Sequence, residues 1–287
     1  MIESLINPKK TDVGLWRMFF VGIIYSTFSI LLVKWFFSKD PVLYAYAGMI
    51  VVTFCVLFSL PFMFYLIRDQ EERDEKIEGF FSVWRIHKDA IFAFIWLFLG
   101  FVVAFSFWYI VLGDQNLFNA QIQTYCMINS PGNIDECVSK YSFNTVGADI
   151  TGNATKQTRF LAIISNNIYV MIFTLVFSLI FGAGAIFVLA WNASVIGAAI
   201  SVFTRYEVGG IPMGVARYMI HGIPEIAAYF VTALAGGIFG VGLLRHGIRH
   251  KMFGRIVENS AMLLFIAILL LVFAAVIEVY LTPLLFS

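Results

Sequence analysis

The chain is 287 residues long, 60% apolar and only 13% charged, with 31 Phe, 12 Tyr and 6 Trp and a mean hydropathy of +0.86. A soluble domain is about a quarter charged, so this chain has roughly half the charge needed to coat a water-facing surface, which excludes a soluble multi-domain enzyme and a disordered linker. The net charge of +1 leaves no clustered basic face for a phosphate backbone, so nucleic acid is excluded as a partner.

What remains is an all-α integral membrane protein, a helical bundle whose first partner is the lipid bilayer. A helix needs roughly 20 mostly apolar residues to cross a hydrocarbon core about 30 Å thick. In chain order such stretches run from Met18 to Phe37, Val42 to Ile67, Ile91 to Leu112, Ile168 to Ala190, Tyr218 to Leu244 and Asn259 to Leu281. A seventh, weaker segment covers 194–217. Ser194 to Phe203 is apolar but only half a span long, and Arg205, Glu207, Gly209, Gly210 and Pro212 interrupt the remainder. The pattern predicts one broken crossing or a re-entrant pair, giving about seven transmembrane helices. The first span is expected to stay as an anchor, because no small-x-small cleavage pattern succeeds it. Trp16, Trp35, Trp84 and Trp108 fall near span ends, as amphipathic rings do at the headgroup level.

The chain divides accordingly into three regions: a Phe-rich three-span part (1–112), an extracytoplasmic loop (113–159) and a glycine-rich C-terminal transmembrane core (160–287). The first three spans are poor in Gly and are expected to be lipid-exposed or loosely attached. The stretch from Arg68 to Lys88 pairs opposite charges four residues apart, as at Arg68/Glu72 and Glu72/Lys76, which suits a helix continuing the second span or a docking surface. The loop holds Cys126 and Cys137, a candidate disulfide on an oxidising face, and the candidate glycosylation sequon Asn153-Ala154-Thr155. Cys55, inside the second span, reads as a small apolar filler.

Orientation rests on Lys and Arg near span ends. With seven crossings, 1–17, 68–90 and 245–255 share one side and carry twelve of the 19 basic residues. That side is expected to be cytoplasmic, which puts the N-terminus inside and the C-terminus outside a plasma membrane.

Only Glu225 and Glu278 among the charged residues fall well inside the expected spans. A carboxylate at membrane depth costs several kcal/mol unless paired, protonated or hydrated, so each marks a candidate site. His221 lies one helical turn before Glu225, and Thr282 one turn after Glu278. Asn166, Asn167 and Asn192 flank the fourth span. Together these residues read either as a structural hydrogen-bond clamp or as an ion or substrate site of a transporter. No metal or cofactor is expected, since His221-x-x-x-Glu225 supplies too few ligands and no phosphate-binding Gly loop or nucleophile elbow is present. Gly182, Gly184, Gly197, Gly236 and Gly240 would let helix backbones approach, within the chain or between two copies.

The order Asn166-Asn167, Gly182-x-Gly184, Asn192, Gly197, His221-Gly222-x-x-Glu225 and Glu278-x-x-x-Thr282-Pro283 resembles the stage II sporulation protein M family over roughly 160–285. The opening Ser4-Leu5-Ile6-Asn7-Pro8-Lys9-Lys10 looks like the start of prokaryotic, especially archaeal, members. Where such members often place Gly after the Asn that opens the broken segment, this chain has Ala193. The resemblance implies a non-enzymatic membrane scaffold that assembles with envelope proteins, since the family's named member localises secreted peptidoglycan-degrading proteins. The residues leave a transporter or channel as the alternative, and leave oligomeric state open.

Overall fold

A computed structural model of the chain describes residues 16–74, 80–114, 116–129, 134–141, 156–181, 185–246 and 253–285. Among them there is no strand; the fold is helical throughout. Helix α1 (Arg17–Phe37) is followed by a short α2 (Pro41–Ala45) and by α3 (Ala47–Asp74). The reversal between α1 and α3 is written locally. Asp40 caps α2, its Oδ1 accepting from the Val42 and Leu43 amides at 2.9 and 3.1 Å, and Pro41 presets the first helical φ. Helix α3 continues as helix through Arg68–Asp74, and α4 (Phe80–Leu112) returns to end at Gly113, whose φ is 56°.

Beyond α4 the loop region folds into a small cap. Helices α5 (Asn119–Asn129) and α6 (Ile134–Tyr141) are joined by the Cys126–Cys137 disulfide, with Cα atoms 5.7 Å apart. Then come α7 (Lys156–Phe181), α8 (Ala185–Phe203), α9 (Ile211–His246), α10 (Phe253–Val276), a π-helical turn (Ile277–Leu281) and α11 (Thr282–Leu285).

Among the described residues, five helical stretches are long and apolar enough to cross a membrane: Arg17–Phe37, His87–Leu112, Ile186–Phe203, Val208–Leu244 and Phe253–Leu285. Two shorter apolar helical stretches, Ala47–Phe62 and Ile163–Leu179, lie in α3 and α7. The C-terminal half divides differently from the expectation. The expected span 168–190 covers parts of both α7, described to Phe181, and α8, described from Ala185, with 182–184 outside the described residues. The weak segment 194–217 is no single broken crossing: its apolar part completes α8, and its polar part is a turn leading into α9. The turn is made by Arg205 and Tyr206, both left-handed at φ 53° and 63°, and by a 3₁₀ turn over Val208–Gly210. Pro212 then sits in the first turn of α9, where its missing N–H costs nothing.

The Phe-rich front part is not loosely attached. Helix α4 is core, with Phe94, Leu97, Phe101, Val102 and Phe105 fully buried. Its contact with α1 is a backbone crossing at Gly22 and Gly100, where a Cβ on Gly100 would collide with the Phe19 carbonyl and one on Gly22 with the Leu97 carbonyl. Lipid gives helices no hydrophobic reason to associate, so such close van der Waals approach is what holds them. The same device recurs behind α4. A Cβ on Gly197 of α8 would lie 2.8 Å from Phe105 Cβ, one on Gly236 of α9 2.8 Å from the Leu175 carbonyl oxygen of α7, and one on Gly240 would meet the Leu179 carbonyl. Gly182 and Gly184 lie outside the described residues, as does Asn153.

At the span ends, Trp16 and Trp35 are exposed and Trp108 donates its indole N–H to Thr27 Oγ1 at 3.0 Å, while the Trp84 side chain lies outside those described. Lys34, in the last turn of α1, forms an ion pair with Asp114 just past α4, and the Tyr44 hydroxyl donates to the same carboxylate at 2.5 Å. Burial on its own would raise the Asp114 carboxyl; the Lys34 and Tyr44 hydrogen bonds and the Lys34 charge outweigh it and hold the group below its ordinary value.

Candidate functional site

The polar residues at membrane depth come mainly from α7, α9 and the end of α10. On α9, His221, Glu225 and Tyr229 succeed one another at intervals of four and so share a face. Pro224 has no N–H to give the Ile220 carbonyl, which loosens the helix between the first two. On α7, Asn166 and Asn167 are adjacent, and the Asn166 amide donates to Asn167 Oδ1 at 3.3 Å. Glu278 lies in the π turn. There the Thr282 N–H bonds back five residues to the Ile277 carbonyl, which also accepts from Thr282 Oγ1 at 3.2 Å. The adjoining Pro283 cannot donate at all, and its ring crowds the carbonyl four residues back, so the wider turn relieves what an α-turn would strain.

These elements meet around Glu225. Tyr229 Oη donates to Glu225 Oε1 at 2.9 Å, and the side chain of Asn167, itself buried, hydrogen-bonds the same carboxylate. Glu278 faces Glu225 closely enough to interact with it electrostatically, and it reaches Tyr229 and Tyr218 in the same way. Thr282 Oγ1 is 3.4 Å from His221 Nδ1, a contact whose donor depends on the imidazole tautomer. Glu225 is 14 residues from the start of the 36-residue α9, about 21 Å along its axis, which is close to the middle of the helix. Chemically the cluster can join α7 to α9 through Asn167 on the Glu225 carboxylate and α9 to the C-terminal end through His221 and Thr282, or hold a small cationic species between two carboxylates.

The structure thus brings together Glu225, Glu278, His221, Thr282, Asn167 and, through Asn167, Asn166. It does not bring in Asn192, whose amide donates to the Val188 carbonyl of its own helix at 2.7 Å. Among the described residues no group of three His, Cys, Asp or Glu could hold a metal ion. Tyr229 was not singled out by sequence, although its place four residues after Glu225 was the available signal.

A second polar site lies where the cap sits on the bundle. Gln121 of α5 is buried and donates to the Gly48 carbonyl of α3 at 3.0 Å and to Ser194 Oγ of α8 at 3.2 Å. Tyr109 packs edge-on to Phe118 with ring centroids 4.6 Å apart, and Tyr206 donates its hydroxyl to the Tyr141 carbonyl at 2.8 Å. Burial, with the neighbouring Tyr141, pushes the Tyr206 phenol up to about 12, so it stays a donor at every ordinary pH. The Gln121 and Tyr206 hydrogen bonds were not visible from spacing, because they join residues 65 or more apart in the chain.

The apolar helices and the buried polar cluster define a polytopic helical membrane protein. The family model for Stage II sporulation protein M matches residues 18–283, and the chain belongs to that family. The match begins at residue 18, so it takes in the front three helices as well as the stretch from 160 that carries the motif residues. No curated protein and no solved structure matches the chain.

Proposed function

We propose that this protein is a non-enzymatic membrane scaffold of the cell envelope, built on seven spans, with the N-terminus cytoplasmic and the C-terminus extracytoplasmic in the plasma membrane. Helices α3 and α7 supply the two spans beyond the five long apolar stretches. The observation that carries the scaffold reading is the cap. A loop that only linked two spans would need no core, whereas here α5 and α6 are stapled by a disulfide, Gln121 anchors α5 and Phe118 packs on Tyr109. Such a rigid platform suits the presentation of a fixed surface to envelope proteins. In this reading the Glu225 cluster is the clamp that keeps α7, α9 and α10 in register beneath it. The test is native crosslinking in intact membranes, then solubilisation and purification. The scaffold should recover defined envelope proteins, and recovery of none under conditions that crosslink a known membrane complex would refute it.

One observation favours a second reading, a transporter or channel. Glu225 and Glu278 face one another near the middle of α9, beside a proline break and a π turn, which is how discontinuous helices build midplane ion sites. Proteoliposomes containing the pure protein would then show a flux that Glu225→Gln abolishes while the protein stays folded.

A further inference from the structure

The turn between α8 and α9 adopts a conformation that its own residues disfavour. Arg205 and Tyr206 are consecutive and both left-handed, which a Cβ opposes, while the nearest glycines stand at 209 and 210. A strained pair of this kind persists only where its surroundings over-determine it. Backbone hydrogen bonds close the turn on itself, and Tyr206 ties it to the rest of the protein. The Tyr206 hydroxyl donates to the Tyr141 carbonyl at 2.8 Å, its ring stacks on Tyr109 at 6.1 Å and 20°, and its N–H bonds to the Ser201 carbonyl at 2.9 Å. Tyr141 is the last residue of α6, four residues beyond Cys137 and so one helical turn from the staple to α5. Its ring also packs edge-on to Tyr125 of α5 at 5.7 Å.

We propose that Tyr206 is a latch by which the disulfide-closed cap holds the α8–α9 turn in its strained form, so that the cap sets where α9 begins. The consequence reaches into the membrane, because α9 carries His221 and Glu225 and begins only five residues after Tyr206. The latch is independent of whether that cluster is a clamp or a transport site.

The test is amide hydrogen exchange on the full-length protein in nanodiscs, comparing wild type, Tyr206→Phe and the double variant Cys126→Ser/Cys137→Ser. The amides of Thr204, Arg205, Tyr206, Glu207 and Gly210 are all hydrogen-bonded within the turn, so their protection reports its opening. Removing one hydroxyl bond should speed exchange over 204–210 about two- to tenfold in Tyr206→Phe, with 119–141 unchanged. The double variant should speed exchange in both segments. Wild-type exchange over 204–210 in Tyr206→Phe would overturn the latch, as would a double variant that loosens 119–141 and leaves 204–210 untouched. If the double variant does not fold, Tyr206→Phe alone decides.

Discussion

Phe94 of α4 and Phe230 of α9 stack nearly parallel, 14° apart, with ring centroids 4.0 Å from each other and both side chains fully buried. This contact ties the Phe-rich front of the chain to its glycine-rich back. Phe94→Ala and Phe230→Ala should each destabilise by about 3 kcal/mol, as large-to-small core substitutions do. The double variant should lose less than the sum, by about 1 kcal/mol for the ring pair itself. Reversible unfolding in mixed micelles measures all three.

The α1–α4 crossing makes a sharper prediction, because backbone rather than side chain stands in the way. Gly100→Ala should cost about 1–3 kcal/mol, since α1 must move off the Phe19 carbonyl to admit a methyl group. Gly209→Ala is the control. A Cβ there meets nothing within 4 Å, and its melting temperature should match wild type within about a degree.

Asp114 gives the protein an acid limb. Its carboxyl is held below the ordinary value, so the stability it contributes is present above about pH 4 and is lost as pH falls through the lowered folded value. Asp114→Asn should melt lower than wild type at pH 7 and lose part of the wild-type decline between about pH 5 and pH 2. Thermal melts across that range read both effects.

Arg205 is exposed and left-handed, so its cost is conformational. Replacing it with glycine removes about 1–2 kcal/mol of strain and adds about 0.5–1 kcal/mol of chain entropy. Arg205→Gly should therefore raise stability by up to about 1.5 kcal/mol, read as a higher midpoint in denaturant.

Much of the fold is legible in the sequence because the membrane makes it so. Runs of about 20 apolar residues have no alternative to helix in lipid, and carboxylates such as Glu225 and Glu278 are too costly there to pass unnoticed. What the sequence hides is long-range. The burial of α4 depends on which of its faces meet α1, α8 and α9, a fact that hydropathy cannot encode when lipid and core are equally apolar. Gly22 and Gly100 are single glycines on separate helices, with no motif to join them. Asn192 misled because an amide at membrane depth can satisfy itself on its own helix, as it does on Val188.

Whether the Glu225 cluster binds α7 and α9 together is tested most directly by the thermal stability of Glu225→Ala and Asn167→Ala, alone and combined, in the detergent used for wild type. A clamp predicts that each single change lowers stability by about 1–2 kcal/mol and that the pair is less than additive, because both remove the hydrogen bond by which Asn167 of α7 holds the Glu225 carboxylate of α9. Wild-type stability in Glu225→Ala, together with loss of a proteoliposome flux that wild type supports, would contradict it.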